Sequence, residues 1–128
     1  MGGCSRGGDA VSTAPAPVAK PVVATAAQTQ QAATAEQALR GMGVPIYTGA
    51  VVDPFLHSYS DDQGSDAVFT TTDSVAQVVA FYKGYSDLAL VQSQGSNLFH
   101  GTINGKPMGI EVRLEDGKTH IIAQARNP

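Results

Sequence analysis

The sequence predicts an α+β fold of two layers, in which one helix packs across one face of an antiparallel sheet with the element order ββαββββ. A valine-rich segment after Ser74 has the periodicity of an amphipathic helix, and Gly-containing dipeptides divide the last third of the chain into strand-like runs. The four Phe and four Tyr residues all lie from Tyr47 onward. The sequence therefore assigns the core to the later part of the chain.

The N-terminal third of the chain is expected to lie outside this core. Residues 1–33 are rich in alanine and glycine, contain prolines and have no aromatic residue, so they offer little apolar surface to offset the entropy lost on ordering. We therefore predict a disordered, lipoprotein-like tether over 1–33 and an α+β domain over 44–128. Between them, Thr34 and Gln37 fit a capping box, which predicts a short, marginal helix over 34–43.

Two strands are expected before the helix of the domain. From Phe55 to Ser60, larger ring-bearing side chains alternate with other residues at the period of a strand. The acidic segment 61–66 is typical of a hairpin loop, and 67–72 has the composition of a second strand, with Phe69 as its core residue.

The helix that follows has a start signal, an apolar face and a stop signal. Asp73 or Ser74 can cap its N-terminus, and Gln77 is placed to close a capping box on Ser74. Gly84 is expected to end it. Valine is stiff at χ1, so we expect packing on the sheet to hold this helix. The apolar side chains that share one face are Val75, Val78, Val79 and Tyr82.

Four strands in an antiparallel meander are predicted after the helix. Asn104-Gly105 and Asp116-Gly117 are strong signals for two-residue type I′ turns, because both central residues of that turn need positive φ. Apolar residues alternate along the run between these turns, which gives one buried and one solvated face: Met108, Ile110, Val112 and Leu114.

Charge and hydropathy exclude several kinds of partner. The net charge is −3. The sequence contains no cluster of Lys and Arg, so the electrostatic footprint of a nucleic-acid-binding protein is missing. No run approaches the roughly 20 apolar residues of a spanning helix. We therefore expect no nucleic acid as partner, and contact with a membrane only through a covalent lipid.

The single cysteine indicates where that lipid would be attached. Gly3-Cys4-Ser5, followed by an alanine- and proline-rich leader, resembles the processing site of bacterial lipoproteins, in which the cysteine becomes the lipidated first residue. The resemblance implies lipid attachment at Cys4 and a periplasmic domain, and Ser5 after the cysteine implies an outer-membrane anchor. Because Met1-Gly2-Gly3 stand where a lipobox has apolar residues, a chance cysteine remains the alternative. Arg6 disfavours N-myristoylation.

Part of the domain resembles a recurrent, mostly uncharacterised domain of exported prokaryotic proteins and lipoproteins. The resemblance covers roughly residues 44–126 and depends on Pro45-Ile46-Tyr47 with Gly49-Ala50, on Thr72-Asp73-Ser74 and on Phe81-Tyr82. These residues supply a turn, a helix cap and core aromatics. The resemblance therefore implies a fold and an envelope setting, and it implies no catalytic residue.

The motifs that would indicate enzymatic chemistry are incomplete. The segment GMGVPI lacks the third glycine and the preceding strand of a dinucleotide site, and DDQGSDAV misses the ligand spacing of a calcium loop. His57, His100 and His120 have no metal-ligand spacing, although His100 and His120 are expected to flank one strand of the meander. We expect no enzyme, no cofactor and no metal.

Two function classes remain. The first is a non-enzymatic envelope lipoprotein-like domain with a structural or protein-binding role, whose partner is an envelope protein held at a sheet edge or at the outer sheet face. The second is a domain that binds a small apolar ligand in a gap between helix and sheet. The lining of that gap would be Phe55, Phe69, Tyr82 and Phe99, which otherwise form the core.

Overall fold

The computed structural model describes residues 23–127, and the fold is α+β with two layers, as the sequence predicts. Residues 1–22 of the predicted tether, which include Cys4, lie outside the described residues. The elements, in chain order, are α1 (Ala26–Gly41), β1 (Val51–Val52), β2 (Tyr59–Ser60), β3 (Gly64–Thr71), α2 (Val75–Lys83), β4 (Leu88–Ser93), β5 (Ser96–Ile103), β6 (Lys106–Glu115) and β7 (Lys118–Arg126).

The strands form one antiparallel sheet in the order β1-β3-β7-β6-β5-β4, and β2 also pairs with β3. Asn104 and Gly105 have φ values of 53° and 77°, and Asp116 and Gly117 have values of 52° and 77°. Positive φ at both central residues confirms the predicted type I′ turns. These turns fix the register, so that Ile110 of β6 lies between Phe99 of β5 and Ala123 of β7.

Both helices pack on the same face of the sheet, which we call the inner face. The start of α2 is as predicted: the Ser74 side chain accepts from the Gln77 backbone, and the Gln77 side chain closes the box. Val78 and Tyr82 are completely buried, which confirms the predicted helix face. The inner-face residues that α1 and α2 cover include Ala67, Phe69, Phe99, Met108, Ile110, Val112, Ile121, Ala123 and Ala125.

Helix α1 begins earlier than the sequence predicts. Thr25 caps it in a box with Gln28, and the helix runs for 16 residues. The predicted start at residue 34 is therefore wrong, as is the predicted disorder of residues 26–33. Both Thr25 and Thr34 have a glutamine three residues later, so the local signal is the same at the two positions.

Tertiary packing decides where α1 begins. Ala32, Ala35 and Leu39 are buried against the sheet, and they recur at the helical spacing i, i+3, i+7. The small side chains of the two alanines allow the helix to approach β2 and β3, the strands with which it makes most of its contacts. Helix α1 is therefore part of the core and not a marginal appendage.

Of the first predicted strand, residues 55–60, only Tyr59–Ser60 is a strand, β2, and residues 55–58 form a loop. Between β1 and β2, the Asp53 carboxylate accepts a hydrogen bond of 2.9 Å from the Phe55 backbone N–H. Pro54 has no backbone N–H to donate to a neighbouring strand. Alternation alone therefore predicted a longer strand than these two residues allow. Only the two short strands β1 and β2 pair with β3 at this edge among the described residues.

Removal of α1 tests the corrected domain boundary. We expect a 44–128 fragment to lose most of the stability of the 23–128 chain, because it lacks the buried side chains of α1. In the longer chain, Leu39→Ala should lower the free energy of unfolding by about 2–5 kcal/mol, while the exposed control Gln37→Ala should change it by less than about 0.5 kcal/mol. Urea unfolding followed by circular dichroism measures both. Equal unfolding midpoints for the fragment and the 23–128 chain would contradict this boundary.

A second test concerns the entry of β4 into the sheet. A Cβ atom at Gly101 would clash with the Asp87 backbone oxygen, whereas one at Gly109 would meet nothing closer than 3.7 Å, from Gln124. We expect Gly101→Ala to displace the start of β4 and to destabilise the domain by about 1–3 kcal/mol. Gly109→Ala, on the same sheet, should be neutral or stabilising. Urea unfolding of the two variants compares them, and equal losses would show that the contact does not constrain β4.

Candidate functional site

Strand β4 forms one lateral edge of the sheet. Among residues 23–127 it pairs only with β5, so its other side is open. The sequence of the strand, LALVQS, contains no charge and no proline. Leu88 and Leu90 point to the inner face, while Val91 lies on the outer face and is 50% exposed. The edge therefore presents unpaired backbone groups beside uncharged side chains.

A cleft of about 510 Å³ lies between α2 and the strands β4 and β5. It adjoins a shallower cleft of about 530 Å³ at the β4–β5 turn, and the two share Val75, Gln92 and Asn97. The two clefts exist because α2 has only nine residues and leaves this end of the inner face uncovered. The remaining lining of the 510 Å³ cleft is Ala76, Val79, Ala80 and Lys83.

The floor of this cleft is polar and internally hydrogen-bonded. The Gln92 side-chain amide donates to the Asn97 side-chain oxygen at 2.8 Å, and the Asn97 amide donates to the Val112 backbone oxygen at 3.2 Å. Gln92 and Asn97 occupy inward positions that would be apolar in a covered part of the sheet. These two residues therefore mark the point where the core ends.

The wall that α2 contributes is made of small side chains with one cation at its end. Ala76 and Ala80 are exposed, lie one turn apart and leave room beside the strand edge. Lys83 is about one turn further along the helix and is also exposed. The cleft can therefore accept an extended chain with modest apolar side chains and a carboxylate near Lys83.

The opposite lateral edge of the sheet has different chemistry. It consists of β1, β2 and the loop between them, where Phe55 and Leu56 are exposed. The Tyr59 hydroxyl donates to the Asp61 carboxylate, and this hydrogen bond lowers the pKa of Asp61 and raises the pKa of Tyr59. The Asp61 carboxylate also accepts from the backbone N–H of Gln63 at 2.8 Å. Short strands and an acidic turn therefore close this edge against another strand.

The four aromatic residues predicted to line a ligand gap do not meet around one. Phe69, Tyr82 and Phe99 are buried in the core, with 5.6 Å between the ring centroids of Tyr82 and Phe99. The Tyr82 hydroxyl donates to the Pro45 backbone oxygen at 2.9 Å, and burial raises the pKa of Tyr82. Phe55 lies outside the core, on the exposed loop. The space between helix and sheet is filled at these positions, and the open cleft lies elsewhere.

The two histidines predicted to flank one strand do flank β6, but they lie at different positions along that strand. His100 is opposite Gly109, and His120 is opposite Arg113. These partners are four residues apart along β6, about 13 Å, so the two rings cannot share an ion. Residues 23–127 contain no group of three His, Cys, Asp or Glu side chains placed to hold a metal. Over the same range, neither helix has the length and apolar character needed to cross a bilayer.

Sequence reasoning named Val75 and Val79 only as part of the helix face, and it did not find the cleft that they line. A signal for the cleft exists in the meander, where Leu88, Leu90 and Gln92 share the inward side of β4, and Phe99 and Asn97 share that of β5. A change from apolar to amide side chains at inward positions indicates where a sheet loses its cover.

The arrangement thus offers two contact surfaces at opposite edges of the sheet, the open β4 strand with its cleft and the exposed loop beside β2. Comparison of the chain with protein families, with curated proteins and with solved structures finds no match. What the domain does is therefore inferred from these surfaces.

Proposed function

We propose that this chain is a non-enzymatic domain of the bacterial envelope that binds an extended segment of another protein at the β4 edge. The observation that carries the proposal is the combination of an open, uncharged edge strand with a cleft alongside it. A peptide that adds a strand to a sheet edge gains affinity from main-chain hydrogen bonds and specificity from pockets for alternate side chains. The β4 edge offers both.

The contrast between the two edges supports this choice. Natural sheets protect their edges with charges, prolines, very short strands or covering loops. The edge at β1 and β2 has two-residue strands, flanked by Asp53, Pro54 and Asp61. The six residues of β4 have none of these devices. One edge of this sheet is protected and the opposite edge is not. The unprotected β4 edge is therefore suited to pairing with a partner strand.

The surroundings of β4 define the chemistry of that partner. Side chains of an added strand would alternate between the cleft and the outer face of the sheet. On the cleft side, Ala76, Val79 and Ala80 favour apolar side chains of modest size. On the outer side, Val91 and Leu98 offer a half-exposed apolar surface. Lys83 favours a partner segment with a carboxylate at one end.

The proposal includes an envelope setting with a lipid anchor. This part of the proposal is supported by Gly3-Cys4-Ser5, which lies upstream of the domain and resembles a lipoprotein processing site. We place the domain in the periplasm and its anchor in the outer membrane. Acylation of Cys4 would bring the domain to a membrane surface without a spanning helix. The absence of a catalytic motif from the sequence supports a binding role over an enzymatic one.

Binding of a small apolar ligand is the second candidate. The apolar wall of the 510 Å³ cleft supports it, because small-molecule sites are concave and mostly apolar. Such a ligand would contact Val75, Val79 and Ala80, and not the four aromatic residues suggested by the sequence. A small molecule that co-purifies with the domain and is displaced by Ala80→Trp would favour this candidate over strand addition.

Site-specific photo-crosslinking in the native cells tests the proposal. A photoreactive residue at Gln92, on the open edge, should give a discrete protein adduct. The matched control is Gln124, which is also an exposed glutamine but lies at the middle of the sheet, and it should give none. Adducts are detected by immunoblotting and mass spectrometry, which also identifies the cross-linked segment of the partner.

A second variant separates strand addition from chance proximity. Val91→Lys places a charge on the exposed outer side of β4 and should abolish the Gln92 adduct, because a charged side chain on an edge strand disfavours pairing with another strand while leaving the core unchanged. Circular dichroism checks that the fold is retained. Adducts of equal yield at Gln92 and Gln124, or an adduct that persists in Val91→Lys, would contradict binding at the β4 edge.

A further inference from the structure

The loop edge carries an exposed apolar patch that the proposed protein binding does not use. We call this group the loop patch; its members are Val51, Phe55, Leu56 and Tyr59, which are 64%, 48%, 37% and 36% exposed. The ring of His57 stacks on that of Tyr59 at 6.2 Å. The loop patch thus has an apolar centre at Phe55 and Leu56 with amphipathic rings beside it, a composition that suits a membrane interface.

The chain that leads to Cys4 leaves the domain at this same edge. In α1, the Gln31 side-chain amide donates to the Ser58 backbone oxygen at 2.6 Å, at the end of the loop. Residues 26–31 of the helix are all exposed, and Ala32 is its first buried residue. The exposed N-terminal turns of α1 therefore lie near the edge formed by β2, and the helix begins about 7.5 Å along its axis from Gln31.

We infer that the loop patch is a membrane-contact surface, which inserts Phe55 and Leu56 into a zwitterionic phospholipid surface when the domain is held there. The inference rests on the proposed membrane anchoring. Residues 5–25 connect Cys4 to the exposed start of α1, so an anchor at Cys4 is joined to the domain on the side of the loop patch. Two apolar side chains bind a bilayer weakly by themselves, and an anchor removes the entropic cost of bringing them there.

The charges around the loop patch decide which lipid surface fits. Asp53, Asp61 and Asp62 lie next to it in the chain, and the net charge of the protein is −3. Across β3, Arg126 is paired with Asp66 at 2.8 Å, and Lys118 is a single cation near Val51 against these three aspartates. An anionic bilayer would repel this edge, so the partner is a zwitterionic one.

This orientation is compatible with the β4 edge as the site for a protein. The loop patch and β4 lie at opposite ends of the strand order β1-β3-β7-β6-β5-β4, about 24 Å apart across the sheet. A domain that rests on lipid through the loop patch therefore turns β4 and its cleft away from the membrane.

Fluorescence quenching by brominated lipid tests the inference. The protein has no Trp and one Cys, so Phe55→Trp introduces a single reporter, and Cys4 can be coupled to a maleimide lipid in phosphatidylcholine vesicles. The matched control is Val91→Trp, a substitution at a side chain of similar exposure on the opposite edge. We expect a blue shift and quenching by dibrominated phosphatidylcholine for Phe55→Trp, and neither change for Val91→Trp.

Two further measurements define the outcome. Adding Leu56→Asp to the Phe55→Trp protein, or replacing half of the phosphatidylcholine by phosphatidylglycerol, should reduce the quenching, while circular dichroism stays unchanged. Equal quenching at both positions, or none for Phe55→Trp, would overturn the inference. Because the lipid is coupled chemically, this result does not depend on acylation in cells. Labelled palmitate incorporation and its loss in Cys4→Ala test the anchor separately.

Discussion

The inner face of the sheet is wider than its two helices can cover, and this limit on coverage determines where the molecule is open. Five strand spacings separate β1 from β4, about 24 Å, whereas α2 with its nine residues is only about 13 Å long. Helix α1 covers β2 and β3, and α2 covers β6 and the start of β4. Neither helix covers the end of the inner face at Gln92 and Asn97, and the cleft lies there.

The same limit on coverage by the helices leaves the two lateral edges of the sheet with different surroundings. At the β3 side, α1 and the loop between β1 and β2 end the sheet with short, partly acidic segments. At the β4 side, nothing described in residues 23–127 covers the strand. The fold therefore separates an apolar loop beside the chain's point of entry from an open strand on the far side. A tethered domain that presents one edge to lipid and the other to a protein would use this asymmetry.

The sequence predicted those parts of the fold that depend on local signals. The turns at Asn104-Gly105 and Asp116-Gly117 and the capping box at Ser74 are confirmed, because each is decided within a few residues. The extent of α1 was not predictable, since its alanines are buried by strands far along the chain. The cleft was missed for a related reason: it is defined by what α2 fails to cover, and helix length relative to sheet width is not a local property.

The openness of β4 is the claim on which the functional account depends, and amide hydrogen exchange of the dilute 23–128 chain, followed by NMR, tests it most directly. In an edge strand, alternate backbone N–H groups have no partner. We therefore expect alternate amides of β4 to exchange rapidly, while those of β6, which is paired on both sides, exchange slowly throughout. Uniformly slow exchange along β4 would show that the edge is already covered, and it would contradict the account.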